Sequence, residues 1–104
     1  MDISGVKTIT ITLHEPDLTD FLADTSDVDA ACEQYRAGYE RRLQEDFPAA
    51  TCTVEIGQTN GMGDWIHIND ELTNAGSCEF QDLVPWIENI PIQMCNDWDW
   101  LTVA

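Results

Sequence analysis

Residues 7–13 read KTITITL, and the fold turns on this stretch. Ile9, Ile11 and Leu13 alternate with Thr8, Thr10 and Thr12. An extended chain therefore carries three aliphatic side chains on one face and three threonines on the other. That pattern is a half-buried strand, which needs partner strands at its edges and a second layer on its apolar face. The partners come later in the chain. Residues 51–57, TCTVEIG, alternate again, with Cys52, Val54 and Ile56 inward. Residues 64–70, DWIHIND, place Ile66 and Ile68 toward the core and turn Trp65 and His67 away. The connection GQTNGMGD between them contains Asn60-Gly61, a hairpin signal.

The second layer comes from two helices. Residues 26–47, SDVDAACEQYRAGYERRLQEDF, repeat Val28, Cys32, Tyr35, Tyr39 and Leu43 at helical spacing. Ser26 is the expected N-cap, with Asp29 placed as in a capping box, and Pro48 closes the helix. Ahead of it, residues 14–27 form a connection with one expected helical turn from Pro16, burying Leu18, Phe21 and Leu22. ELTNAGS, 71–77, reads as a loop. Residues 78–90, CEFQDLVPWIENI, read as the second helix, with Phe80, Leu83, Trp86, Ile87 and Ile90 on one side. Pro85 fits its first turn if the helix starts near Asp82, and Pro91 is expected to end or kink it. The tail, MCNDWDWLTVA, suits either a short last strand, with Trp98, Trp100 and Thr102 on one face, or a helical extension. The order is β-α-β-β-α: a single α+β domain over residues 1–104, built as a two-layer sandwich. A final β-strand would make it a ferredoxin-like variant.

Charge bounds the function. The chain has 20 acidic residues against 4 basic ones and a net charge of −16. Lys7, Arg36, Arg41 and Arg42 all lie in the first 42 residues, and no lysine or arginine follows. The arginines have Glu33, Glu40, Glu45 and Asp46 three or four positions away, so intrahelical pairing neutralises part of the only basic cluster. Such a surface repels nucleic acid and anionic membrane and attracts basic protein surfaces. Solubility alone, or a high-salt cytoplasm, are the competing explanations of the charge; four cysteines, four tryptophans and more Ile than Val weigh against the second. No apolar run is long enough for a membrane span, and MDISGVKTIT has no basic or apolar signal-peptide region, so a cytoplasmic location is expected.

Motifs for chemistry are sparse. Cys32, Cys52, Cys78 and Cys95 are too far apart for a zinc site and are expected as reduced, mostly buried thiols. His14 and His67 sit on different elements with no nucleophile at a recognisable spacing; a small hydrolase-type enzyme using His67 is the enzymatic alternative. DLTDFLADTSDVD, 17–29, lacks the glycine turn and ligand spacing of a calcium loop, and GQTNGMG lacks the GK[ST] of a phosphate cradle. No catalytic residue, metal or cofactor is expected. What remains is an acid-and-aromatic surface. Its candidate contact residues are Asp64, Asp70, Glu71, Glu79, Asp82, Glu88, Asp97, Trp98, Asp99 and Trp100. Trp86, in helical register with Leu83 and Ile90, reads as core. For Trp98 and Trp100, core and interface are both open.

The succession VKTITITL, YERRLQEDFP, TCTVEIG, DWIHIND, FQDLVPWIENI and NDWDWL resembles the DinI family pattern: strand, helix ending at Phe-Pro, hairpin, then an acidic helix with a late Asp-Trp. Phe47-Pro48 and Asp97-Trp98 match most closely, and the central and final insertions are longer here. The resemblance implies a modulator of a RecA-class recombinase acting through an acidic, DNA-like last helix. In size and charge the chain is also similar to phage and plasmid DNA-mimic inhibitors of the anti-CRISPR and anti-restriction kind. The expected function is therefore a non-enzymatic acidic protein that occupies the basic nucleic-acid-binding surface of another protein. It would bind neither nucleic acid nor membrane itself, and act as a monomer or homodimer.

Overall fold

A computed structural model describes residues 5–58, 64–73 and 80–101. Its elements are β1 (Thr8–His14), α1 (Glu15–Phe21), α2 (Val28–Asp46), β2 (Thr51–Gly57), β3 (Trp65–Ile68), β4 (Glu71–Leu72) and α3 (Val84–Asp97), the last entered through a 3-10 turn, Gln81–Leu83. The sheet order is β2-β1-β3-β4. β1 pairs parallel with β2, from Thr8↔Thr51 to His14↔Gly57, and antiparallel with β3, from Ile9↔Ile68 to Thr12↔Trp65. The stretch that alternates most strictly thus lies at the centre of the sheet. Ile9, Ile11, Leu13, Val54, Ile66 and Ile68 are buried on one face. Tyr35, Tyr39, Leu43, Ile87, Ile90 and Met94 from α2 and α3 join them in one core. This is the expected two-layer α+β sandwich.

The second face of the sheet carries Thr8, Thr10, Thr12, Trp65 and His67, all half-buried. Trp65 and His67 form an edge-on ring contact at 6.3 Å. The Trp65 indole N–H is enclosed and meets no acceptor among the described residues.

Edge strands expose unpaired backbone groups that invite association. On β2 the side chains of α2 take them up. The Glu40 carboxylate accepts the Val54 N–H at 3.0 Å, and Arg36 donates to the Val54 carbonyl at 3.0 Å. The Gln44 amide donates to the Ala50 carbonyl at 2.7 Å and accepts the Cys52 N–H at 3.2 Å. The i, i+4, i+8 spacing of 36, 40 and 44 aligns these three side chains along one helix face.

Several expectations change. The N-cap of α2 is Asp27, whose carboxylate accepts the Ala30 N–H at 3.1 Å; Ser26 lies one residue too early. The buried stripe of α2 is Ala31, Tyr35, Gly38, Tyr39 and Leu43, so it is rotated away from Val28 and Cys32. Gly38 joins the stripe at the closest approach. A Cβ there would stand 3.0 Å from Trp100 Cβ and 3.2 Å from Met94 Cε, so its absence lets α3 and the tail close on α2. Phe21, expected in the core, is 44% exposed. Residues 71 and 72, read as loop, pair with β3 through a tight turn in which Asn69 and Asp70 both have positive φ. Asn and Asp tolerate that conformation better than other non-glycine residues.

Pro91 does not end the helix: α3 runs through it to Asp97. Proline in a helix interior costs ~3 kcal/mol. Met94 and Trp100, buried beyond it, each return ~1.5–3 kcal/mol. The tail then turns sharply, with Trp98 in the left-handed region at φ 55° and its N–H bonded to the Met94 carbonyl at 3.0 Å. Residues 98–101 therefore form no strand, which removes the ferredoxin-like reading from the described part of the tail; Thr102 and Val103 lie outside it. Asn60-Gly61 also falls outside the described residues.

Candidate functional site

The tail places the two tryptophans in different environments. Trp100 is 6% exposed, its ring edge-on to Tyr35 at 5.3 Å and its indole N–H donated to the Met94 carbonyl at 2.8 Å. It belongs to the core. Trp98 is 41% exposed and stacks on Trp100 at 5.3 Å. Phe21, from the end of α1, lies 5.6 Å from Trp98 and 5.9 Å from Tyr35. The four rings close a circuit with Tyr35 and Trp100 inside and Phe21 and Trp98 at the surface. Trp86, expected as core, is 38% exposed while its ring contacts Phe47 at 5.1 Å.

Asp97 and Asp99 flank Trp98 and are not free carboxylates. Arg42, whose side chain is only 15% exposed, reaches Asp99 at 2.7 Å and Asp97 at 3.2 Å. This pairing crosses between elements; the intrahelical partners expected for Arg42 are not the ones it takes. Arg36 pairs with Glu33 and Glu40, as expected from their spacing. Its guanidinium also holds the Glu33 carboxyl below its ordinary range. Two of the three arginines are thus committed to internal contacts.

Beside the rings lies a cleft of about 250 Å³. Its walls are Asp17 and Phe21 of α1, Tyr35 of α2, Cys95 of α3, and Asp64, which precedes β3; Leu13 and Leu18 form the apolar remainder. Asp64 is exposed as a residue, but its carboxyl turns to the cleft and accepts the His14 N–H at 2.8 Å. Loss of water raises its proton affinity above that of an ordinary aspartate. The His14 N–H opposes this rise, and the nearby Asp17 charge adds to it. The Tyr35 phenol is pushed up by burial first and by Asp64 second. Asp64 is the one sequence-predicted contact residue in the cleft. Asp17 is expected only within the connection that follows the first strand, Phe21 in the core and Cys95 among the buried thiols. The packing of α1 and α3 against α2 brings them together.

The other predicted residues are spread out. Asp82 in the 3-10 turn and Glu88 on α3 are exposed. Asp70 and Glu71 lie in the β3–β4 hairpin, which Asn69 ties to the start of β1 through the Lys7 and Thr8 N–H groups. Asp64 meets the opposite end of β1, about 20 Å away for a strand of this length. Glu79 lies outside the described residues.

Among the described residues, no three His, Cys, Asp or Glu side chains are grouped to hold a metal ion. His67 and Cys52 lie on opposite faces of the sheet. Cys32 is half-buried, Cys52 buried and Cys95 exposed, all as free thiols, so burial is less general than expected; Cys78 lies outside the described residues. Burial pushes the Cys52 thiol up to about 11, and Glu40 adds to this. Among the described residues no helix is long and apolar enough to cross a membrane. No family model, no curated protein and no solved structure matches this chain.

Proposed function

We propose that this chain is an acidic binding protein that inhibits or modulates a nucleic-acid-processing machine by occupying its basic DNA- or RNA-binding surface. The supporting observation is charge per length. Asp2 and Glu79 lie outside the described residues; the other 18 acids and the 4 bases leave −14 on a body 41 Å long. That is roughly one net charge per 3 Å, against ~1.7 Å for duplex DNA. The protein thus carries more than half the linear charge density of the polymer it would displace. Internal pairing of Arg36 and Arg42 keeps cations from interrupting that field. Carboxylates such as Asp82 and Glu88 would take the places of phosphates against Lys and Arg side chains. Long-range attraction of this kind speeds encounter and fixes orientation more than it adds affinity.

The test is capture from lysate on the immobilised chain, with elution by duplex DNA and, separately, by salt. Nucleic-acid-processing proteins released by both support the reading. Retained proteins that DNA does not displace, or retention unchanged from low salt to half-molar salt, overturn it, because exposed charges are screened over about 8–10 Å. A cooperative melt in dilute buffer separates this reading from adaptation to high salt, in which folding itself needs molar salt.

A further inference from the structure

We propose that the cleft between α1, α2 and α3 receives a single arginine side chain from the basic protein surface that this chain engages. The inference rests on the binding role above and names the contact at its centre.

Size limits the occupant. At about 250 Å³ the cleft is smaller than the ~300–1,000 Å³ of sites that hold drug-sized ligands or cofactors. One long side chain suits it. The lining then specifies the chemistry. Leu13, Leu18 and the flat rings of Phe21 and Tyr35 accept an apolar stem and a planar head group. Asp17 and Asp64 require that head to be cationic. The Asp17 charge raises the proton affinity of Asp64 and the neighbouring His14 partly offsets it, and among the described residues no lysine or arginine of the chain lines the cleft. A guanidinium meets every demand at once: it is planar, always charged, stacks on aromatic rings and forks onto carboxylates. A lysine ammonium is a compact, strongly hydrated charge and uses the rings less well.

The cleft is also held ready. Asp64 is oriented by the His14 N–H at 2.8 Å. Phe21 is braced by Tyr35 and Trp98, so its ring keeps its place despite being 44% exposed. Little rotamer freedom remains to be lost on binding, a property of interface hot spots. Arginine is itself enriched among the residues that fill such hot spots.

The experiment is an amide NMR titration of the full chain with N-acetyl-arginine amide, repeated with N-acetyl-lysine amide at equal ionic strength. The expected result is saturable shifts at Phe21, Tyr35, Asp64 and Cys95, with at least fivefold weaker binding of the lysine derivative. Asp64→Asn, which keeps an oxygen for the His14 N–H, and Phe21→Ala, at an exposed position, should each weaken arginine binding at least fivefold. Glu45→Gln, on the outer face of α2, should leave it unchanged. Alkylation of Cys95 should slow as arginine saturates. Shifts that never saturate, that spread equally to Glu45 and Asp46, or that are matched by lysine overturn the proposal. Such a result leaves DNA-competed capture of basic proteins standing on charge alone. Saturable arginine binding without any DNA-competed partner sinks the wider role and keeps the cleft.

Discussion

Trp98 and Trp100 differ by two positions, and the structure predicts that removing Trp100 costs clearly more than removing Trp98. Trp100→Ala deletes a buried indole, its edge-on contact with Tyr35 and its hydrogen bond to the Met94 carbonyl. Truncating a core aromatic to alanine costs ~3–5 kcal/mol. A domain of this size is stable by ~5–15 kcal/mol, so the variant keeps a fraction of that margin. Its melting temperature should fall by at least ~12 °C, at ~4–8 °C per kcal/mol. Trp98→Ala removes a ring that contacts Trp100 and Phe21 and is 41% exposed. Each of the two ring pairs is worth ~0.5–1.5 kcal/mol, so the loss should be about 1–3 kcal/mol. Trp98→Gly should cost less still, because glycine adopts the left-handed backbone at φ 55° with no Cβ penalty, an offset of ~1 kcal/mol. Urea unfolding followed by far-ultraviolet circular dichroism gives all three values without using tryptophan emission. Trp98→Ala as costly as Trp100→Ala, or Trp100→Ala costing under 1 kcal/mol, would refute the assignment of one ring to the core and the other to the rim.

Three further outcomes follow from the packing. Gly38→Ala should destabilise the native protein, since the ~1 kcal/mol gained in helix propensity is outweighed by ~1–3 kcal/mol of overpacking against Trp100 Cβ; in a Trp100→Gly background, which removes that Cβ, the same change should become stabilising, and an unchanged sign denies the contact. Arg42→Met should cost about 1 kcal/mol at low ionic strength and less in added salt, because Asp97 and Asp99 are 53% and 66% exposed; a cost that does not respond to salt makes the side chain's packing, not its charge, the cause. Under native conditions a thiol reagent should modify Cys95 quickly, Cys32 more slowly and Cys52 only on unfolding, as read by mass spectrometry of the labelled peptides, since burial pushes the latter two thiols up; rapid labelling of Cys52 contradicts the closure of α2 over β2.

Local pattern carried much of the fold. β1, β2 and β3 are legible as alternation because each buries one face only, and α2 is legible as a stripe with a proline at its end. What escaped is decided between elements. Helix continuation past Pro91 depends on what Met94 and Trp100 bury, which no local window contains. The partners of Arg42 lie more than fifty residues away, whereas its sequence neighbours offered carboxylates at ordinary helical spacing. Two residues, Asn69 and Asp70, fit a tight hairpin turn, yet β4 is too short to announce itself by alternation. The acidic character of the candidate surface was visible at once. The cleft was not, because Asp17, Phe21, Tyr35, Asp64 and Cys95 come from separate segments with no common motif.

The position of β1 has a consequence for synthesis. The strand at the centre of the sheet is translated before either of its neighbours. Its last residue, His14, precedes the end of β3 at Ile68 by 54 residues. At ~5–20 residues per second, that leaves the TITITL segment without its antiparallel neighbour for roughly 3–11 s on each ribosome. During that time Ile9, Ile11 and Leu13 lie on a β-prone ribbon with at least one open edge, free to zip onto the same ribbon of a chain emerging nearby. The period of greatest danger for this protein therefore comes before it is complete. Like-charged nascent chains that repel one another are protected through that period, whatever the finished surface later binds.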